Sequence, residues 1–328
     1  MTETQVTDSS SVNPVQGDLA FTRKSDRGVV AEASYAGALS FMRRRYARDL
    51  SGVDVAVMGV PFDLSVSSRS GTRLGPRAVR SGSSHIAWSK PWPWEADPYE
   101  VLRVVDYGDC EFDYGYPHKV PGEIARAARE ILATDTALLS IGGDHFITYP
   151  LLQAHVEKHG PLSLIQFDAH SDTWADEEGR IDHGTMLWHA VREGLVDPAR
   201  SVQVGIRTHN PDPLGMNIID AIEVQKTGPE AVAGKIRGIV GDHKTYVTFD
   251  IDALEPASAP GTGTPVIGGL SPFQAQEIIR GLAGTDVVGM DVVEVAPAYD
   301  ISEITAIAAA TIANDLLCLY AAGPSGQR

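Results

Sequence analysis

From Val53 onward, apolar runs of strand length recur along the chain, with helical patterns between them. The runs at 53–60 ("VDVAVMGV"), 101–108, 137–145, 162–170, 201–206, 245–252 and 286–295 are rich in Val, Ile and Leu and nearly continuous. Strands that are apolar on both faces belong in a parallel sheet covered by helices on each side. The segments 121–133, 148–160, 228–241 and 271–284 carry apolar residues at helical spacing, and Pro76 in "GPRAVR" marks a further helix start. The alternation predicts an α/β fold. The segment 303–322 is long and almost wholly apolar, and is expected to be deeply buried or at a subunit contact. "FMRRRYARDL" (Phe41–Leu50) is basic and amphipathic and reads as a solvated helix face or an interface. No linker interrupts the pattern after residue 30. The chain therefore divides into a polar arm, 1–30, and one domain, 31–328.

Composition narrows the function. The chain of 328 residues carries a formal charge of −16, which argues against nucleic acid or an anionic membrane as partner. The start, "MTETQVTDSSSVNPVQGD", lacks the basic and apolar regions of a signal peptide. No apolar run reads as a membrane span. Two cysteines, Cys110 and Cys318, allow neither a disulfide framework nor a thiolate zinc site. The expected compartment is the cytoplasm.

The chemistry lies where the strands end. "LLSIGGDH" finishes on Asp144 and His145, "LIQFDAHSD" on Asp168, His170 and Asp172, "YVTFDID" on Asp250 and Asp252, and "MDVVEV" passes Glu294. Residues two apart on an extended chain point the same way, and parallel sheets form their sites beyond the carboxyl ends of the strands. Four carboxylates, Asp168, Asp172, Asp250 and Asp252, gathered within a few ångströms repel one another unless cations fill the space. Their charge of −4 matches two divalent ions, and neutral His145 and His170 add nitrogen ligands. Oxygen-rich ligation with one imidazole per metal suits Mn²⁺ better than Zn²⁺. The glycines of "GGDH" and "GTGTP" lack a phosphate-loop pattern and are read as permitting tight turns.

These motifs, "GGDH" (Gly142–His145), "DAHSD" (Asp168–Asp172), "HGTM" (His183–Met186), "FDIDALEPASAPGTGTP" (Phe249–Pro265) and "MDVVEVAPAYD" (Met290–Asp300), resemble those of the ureohydrolases, the arginase and agmatinase family. The wording is most similar to the bacterial agmatinases. The resemblance runs from about Val53 to the C-terminus. It implies an arginase-like three-layer αβα sandwich around a mainly parallel sheet, two Mn²⁺ ions per subunit, and a homotrimer or homohexamer. One metal would take His145, Asp168, Asp172 and Asp250, the other Asp168, His170, Asp250 and Asp252. The implied reaction is hydrolysis of a cationic guanidino substrate by a hydroxide between the metals, giving urea and an amine. Glu294 would clamp the guanidinium, Asp172 would carry a proton to the leaving nitrogen, and His183 would shuttle protons to solvent. Duller roles stay open: Glu294 as a buried ion-pair member, His183 as a loop cap.

Substrate tails divide the family. Arginases carry an acidic residue after the "GIR" strand end, where this chain reads Thr208-His209-Asn210, and an Asn where Trp174 stands. Both departures count against arginine and leave agmatine, giving putrescine, as the expected substrate. The acidic loop "ADEEGRID" (Ala175–Asp182) would attract the ammonium tail. A guanidinobutyrase, with Arg180 or Arg207 holding a carboxylate tail, is the alternative. A metal-free regulatory homologue is a third reading, and predicts a broken ligand where all six are present.

Overall fold

The computed structural model describes residues 24–25, 28–29, 34–177 and 179–327. The expected arm, 1–30, lies almost wholly outside the described residues. Within it, Lys24–Ser25 pairs antiparallel with Gly28–Val29.

Eight strands form one sheet: β1 (Val55–Val60), β2 (Val104–Asp109), β3 (Ala137–Gly142), β4 (Ser163–Phe167), β5 (Val202–Val204), β6 (Asn217–Ile219), β7 (Thr245–Asp250) and β8 (Val287–Val293). Their order is β2-β1-β3-β8-β7-β4-β5-β6, and every pairing is parallel. The helices are α1 (Gly75–Ser83), α2 (Pro98–Val101), α3 (Val120–Leu132), α4 (Thr148–His159), α5 (Met186–Arg192), α6 (Ala221–Thr227), α7 (Pro229–Val240), α8 (Pro272–Gly281) and α9 (Ile304–Ala322). The expected helices at 121–133, 148–160, 228–241 and 271–284 are α3, α4, α7 and α8.

Strand alternation divides the interior into two cores. Val55 and Val57 of β1 face a layer holding Ile278 and Leu316, from α8 and α9. Ala56, Met58 and Val60 face the opposite layer, with Ile124 of α3 and Leu151 of α4. The sheet is thus covered on both faces, as the near-continuous apolar strands require. Each fully buried aliphatic side chain contributes about 1.5–3 kcal/mol. Helix α9 is long and apolar enough by composition to cross a membrane, contrary to the reading that no run qualifies; 72% of its most apolar window is buried inside the protein. It lies so close to α1 that a Cβ on Gly82 would stand 2.9 Å from the Ala306 carbonyl carbon. Any side chain there would push the two helices apart.

The basic segment 41–50 departs from expectation. Phe41–Arg43 is a single 3₁₀ turn, and Arg43 and Arg44 are buried rather than solvated. The Arg44 guanidinium stacks 4.5 Å from the Tyr99 ring centroid, and Arg43 Nη1 donates to Ala36 O at 2.8 Å. Positive φ at Met42 and Arg43 stops a helix from propagating.

Candidate metal centre

The sheet order places β3, β8, β7 and β4 side by side at its middle. Their carboxyl ends carry His145, Glu294, Asp250 with Asp252, and Asp168 with His170 and Asp172. Segments far apart in sequence therefore meet at one edge. His145 Nδ1 lies 3.0 Å from Asp168 Oδ2, 2.9 Å from Asp172 Oδ2 and 3.3 Å from Asp250 Oδ2. His170 Nδ1 lies 3.0 Å from Asp252 Oδ2 and 3.5 Å from Asp168 Oδ1. Two groups able to hold a cation result, His145–Asp168–Asp250 and Asp168–His170–Asp252, sharing Asp168. Asp250 Oδ1 accepts the Asp252 amide at 2.8 Å, capping the turn Ile251–Ala253, while its Oδ2 faces His145.

The route to convergence differs from simple alternation. Strand β4 ends at Phe167, so 168–172 is not extended strand. Asp172 has φ +52°, a left-handed conformation that turns its carboxylate back beside Asp168 onto His145. Gly143 is required for close approach, since a Cβ there would meet Val60 O at 2.5 Å; its φ is not positive, so the tight-turn reading of this glycine gives way to crowding.

The donor set fits divalent metal. His145 Nδ1 is fully buried, faces three carboxylates and has no hydrogen-bond partner. Its other nitrogen, Nε2, lies 2.8 Å from Thr248 Oγ1, and Thr248 in turn donates to Asp291. A ring nitrogen tied back in this way leaves the opposite nitrogen aimed at a metal. Burial disfavours charge on both imidazoles, yet the surrounding carboxylates outweigh it: His145 is raised well above the ordinary imidazole range and His170 is pushed up to about 12. Burial pushes Asp172 up to about 6, helped by the Asp168 charge, and drives Asp250 and Asp252 upward as well. Asp168, between both imidazoles, is held well below the carboxylate range despite its burial. Even two imidazoliums leave four carboxylates with a deficit of positive charge, and divalent ions supply it.

Four supporting residues escaped the sequence reading. Thr248 and Asp291 orient His145; Gln166 donates to Asp168 Oδ2 at 2.6 Å; Gln203 Nε2 donates to Gln166 Oε1 at 2.6 Å. A signal existed for Thr248, which stands two residues before Asp250 on β7 and hence on the same face; Gln166 lies on β4, which ends before Asp168. Asp291 is a lone carboxylate inside an apolar strand.

Glu294 and His183 prove to be partners. His183 Nδ1 lies 2.8 Å from Glu294 Oε1, which also accepts the His145 amide at 2.9 Å. Glu294 Oε2 is buried without a partner, and Glu294 itself sits at φ +65°. Burial disfavours the charged His183 ring, while Glu294 and nearby carboxylates push it up to about 9. The Ser67 amide, however, donates to Nε2 at 3.0 Å, an interaction open only to an unprotonated nitrogen. The resting ring is therefore neutral, with its proton on Nδ1. His183 does not cap its loop; Asp182 does, through the Gly184 amide at 2.9 Å. Asp144 stays behind the ring, taking Ser65 Oγ at 2.7 Å, and burial beside Glu294 pushes it up to about 7.

Above the ring opens a cavity of about 310 Å³, lined by His170, Asp172, Asp250 and His183 below and by Trp174, Arg180 and Asp182 nearer solvent. Of the acidic loop, Glu178 lies outside the described residues, and the Asp176 side chain is fully buried. Arg207 is spent on the backbone: its Nη2 donates to Asp252 O at 2.6 Å and Val266 O at 2.8 Å.

A sequence profile of the arginase family matches residues 53–318. The agmatinase of Chromobacterium violaceum is 57% identical over 307 residues, covering 93% of this chain and 95% of that protein. The crystal structure of a hypothetical agmatinase from Burkholderia thailandensis is 58% identical, with a TM-score of 0.89 over 93% of this chain and 97% of that one. Proclavaminate amidino hydrolase from Streptomyces clavuligerus is 37% identical, with a TM-score of 0.83 over 90% of this chain and all of that one. Profile, relatives and superimposable sheet agree with the His–Asp groups at the strand ends: the chain belongs to the arginase family and is a ureohydrolase.

Proposed function

We propose that the protein hydrolyses agmatine to putrescine and urea. The observation that carries the reading is the buried, unpartnered Glu294 Oε2 beside a carboxylate ring that demands cations, in a chain resembling agmatinases over nearly its full length. We propose two Mn²⁺ ions as cofactor, held by His145, Asp168, Asp172 and Asp250 and by Asp168, His170, Asp250 and Asp252. When bound, such ions offset the carboxylate charge and acidify water at neutral pH. The chain's own residues do the rest. His183 donates Nδ1–H to Glu294 Oε1 and leaves Oε2 to accept from the guanidinium. Asp172, pushed up to about 6 by burial and the Asp168 charge, takes the proton of the attacking water and returns it to the tail nitrogen as its bond to the guanidino carbon breaks.

The guanidinobutyrase alternative needs a free cation for the tail. Arg207 is bound to carbonyls, and Arg180 is bracketed by Asp176 and Asp182, which favours a cationic tail. A metal-free regulatory role is disfavoured by the intact ligand set. We further propose a cytoplasmic homotrimer or homohexamer, with 31–328 as a single catalytic domain behind the 1–30 arm; the family match over 53–318 supports the domain. Urea release from agmatine, 4-guanidinobutyrate and arginine, with and without Mn²⁺, tests the function. Agmatine is expected to have the highest kcat/KM, and only with metal; a higher value for another guanidine refutes the assignment.

A further inference from the structure

At the mouth of the reaction cavity a cation is already built in. Arg180 Nη2 lies 2.9 Å from Asp182 Oδ2, and Nη1 lies 3.1 Å from Asp176 Oδ1. The two carboxylates are not equivalent. The Asp176 side chain is fully buried, and its oxygens also take the Glu177 amide at 2.8 Å and Thr185 Oγ1 at 2.7 Å. It anchors Arg180 from behind. Asp182 is partly exposed, with a side-chain accessibility of 22%, and lines the cavity together with Arg180. One guanidinium shared between two carboxylates leaves one negative charge over, and the Asp182 side faces the substrate path.

We infer that Asp182, held in place by the Asp176–Arg180 pair, is the specificity-determining carboxylate for the substrate's distal tail, and that Arg180 is the cation the tail's ammonium partly displaces. A tail of +1 neutralises the excess charge. An uncharged tail gains nothing, and a carboxylate tail meets repulsion from Asp182. Trp174 also lines the cavity, and its indole is the apolar surface on which the methylene chain would rest. The arrangement also accounts for a basic residue at the mouth of a site for cations: it fixes Asp182 and reduces the charge without cancelling it.

This assignment rests on the proposed agmatine reading, and the test separates the two. The Mn²⁺-loaded full-length protein and its Asp182→Asn and Arg180→Gln variants are assayed on agmatine, on butylguanidine, which has the same carbon chain without the ammonium, and on 4-guanidinobutyrate. The readout is the agmatine-to-butylguanidine ratio of kcat/KM. Asp182→Asn keeps the oxygen that caps Gly184 and is expected to lower the ratio about five-fold, through KM. Arg180→Gln leaves two carboxylates and is expected to raise it about two-fold; both sizes are those of a partly solvated ion pair. In Asp182→Asn the discrimination against 4-guanidinobutyrate also shrinks. Equal changes on every substrate, or a flat ratio in both variants, overturn the inference. A wild-type protein active on agmatine with flat variant ratios overturns this inference alone, whereas a wild type that prefers another guanidine overturns the agmatine reading as well.

Discussion

The cavity has two acidic regions, a floor and a mouth, and the sequence presents them in the same way, as clusters of Asp and Glu near histidines. At the floor, Asp168, Asp172, Asp250 and Asp252 have imidazoles within ion-pair range but, among the described residues, no Lys or Arg. At the mouth, Asp176 and Asp182 are bridged by an arginine supplied five residues or fewer along the same loop. The floor's own side chains leave negative charge for divalent ions to offset, while the mouth brings its own cation. Acidity alone therefore does not mark a metal site. What marks it is the absence of a fixed Lys or Arg combined with an orphaned buried nitrogen, here His145 Nδ1.

The difference can be broken hardest at the floor. Asp168→Asn removes the carboxylate common to both groups and is expected to lower kcat/KM by more than the about 10–100-fold that follows loss of a metal site's supporting residue. Asp168 is held ionised by both imidazoles, so the metal-free variant should melt below the metal-free wild type and also lose its response to Mn²⁺; calorimetry with and without chelator reads both. Glu294→Gln keeps the shape and the bond to His183 but removes a charged acceptor. A hydrogen bond to a charged group is worth about 1.5–3 kcal/mol, so kcat/KM should fall about ten- to a hundred-fold with metal content retained. Thr248→Val frees His145 Nε2 and should weaken metal affinity about ten-fold, as measured by metal titration. Arg207→Ala should lower stability by about 2–3 kcal/mol, because several buried carbonyls lose their donor, yet leave the order of substrate preference as it was. That result separates a structural arginine from Arg180 at the mouth, where only few-fold effects are expected.

Much of this was legible in the sequence. Apolar runs bounded by Asp and His gave the parallel sheet and its ligand-bearing edge, because strand burial and charge repulsion are both local in the text. Strands with short or mixed patterns were not: β6 spans only Asn217–Ile219 and is half exposed at its start, and α5 and α6, at seven residues each, are too short to show a period. The basic run at Phe41–Leu50 misled because two of its arginines, Arg43 and Arg44, are buried against Trp88 and Tyr99, partners distant in sequence, while Arg45 and Arg48 stay exposed. The bond between His183 and Glu294 was illegible for the same reason, since the two lie 111 residues apart. The acidic loop was read by its net charge, and only the fold shows Asp176 turned inward onto Thr185 and Arg180.

The central claim is that the floor is a container for two divalent cations. Metal analysis of protein loaded with Mn²⁺ and dialysed, paired with anomalous diffraction, measures this without reference to turnover. Two ions per chain are predicted, one against His145 and one against His170, both lost in Asp168→Asn. A single ion or none in the wild type, or two ions that persist in the variant, would contradict the account.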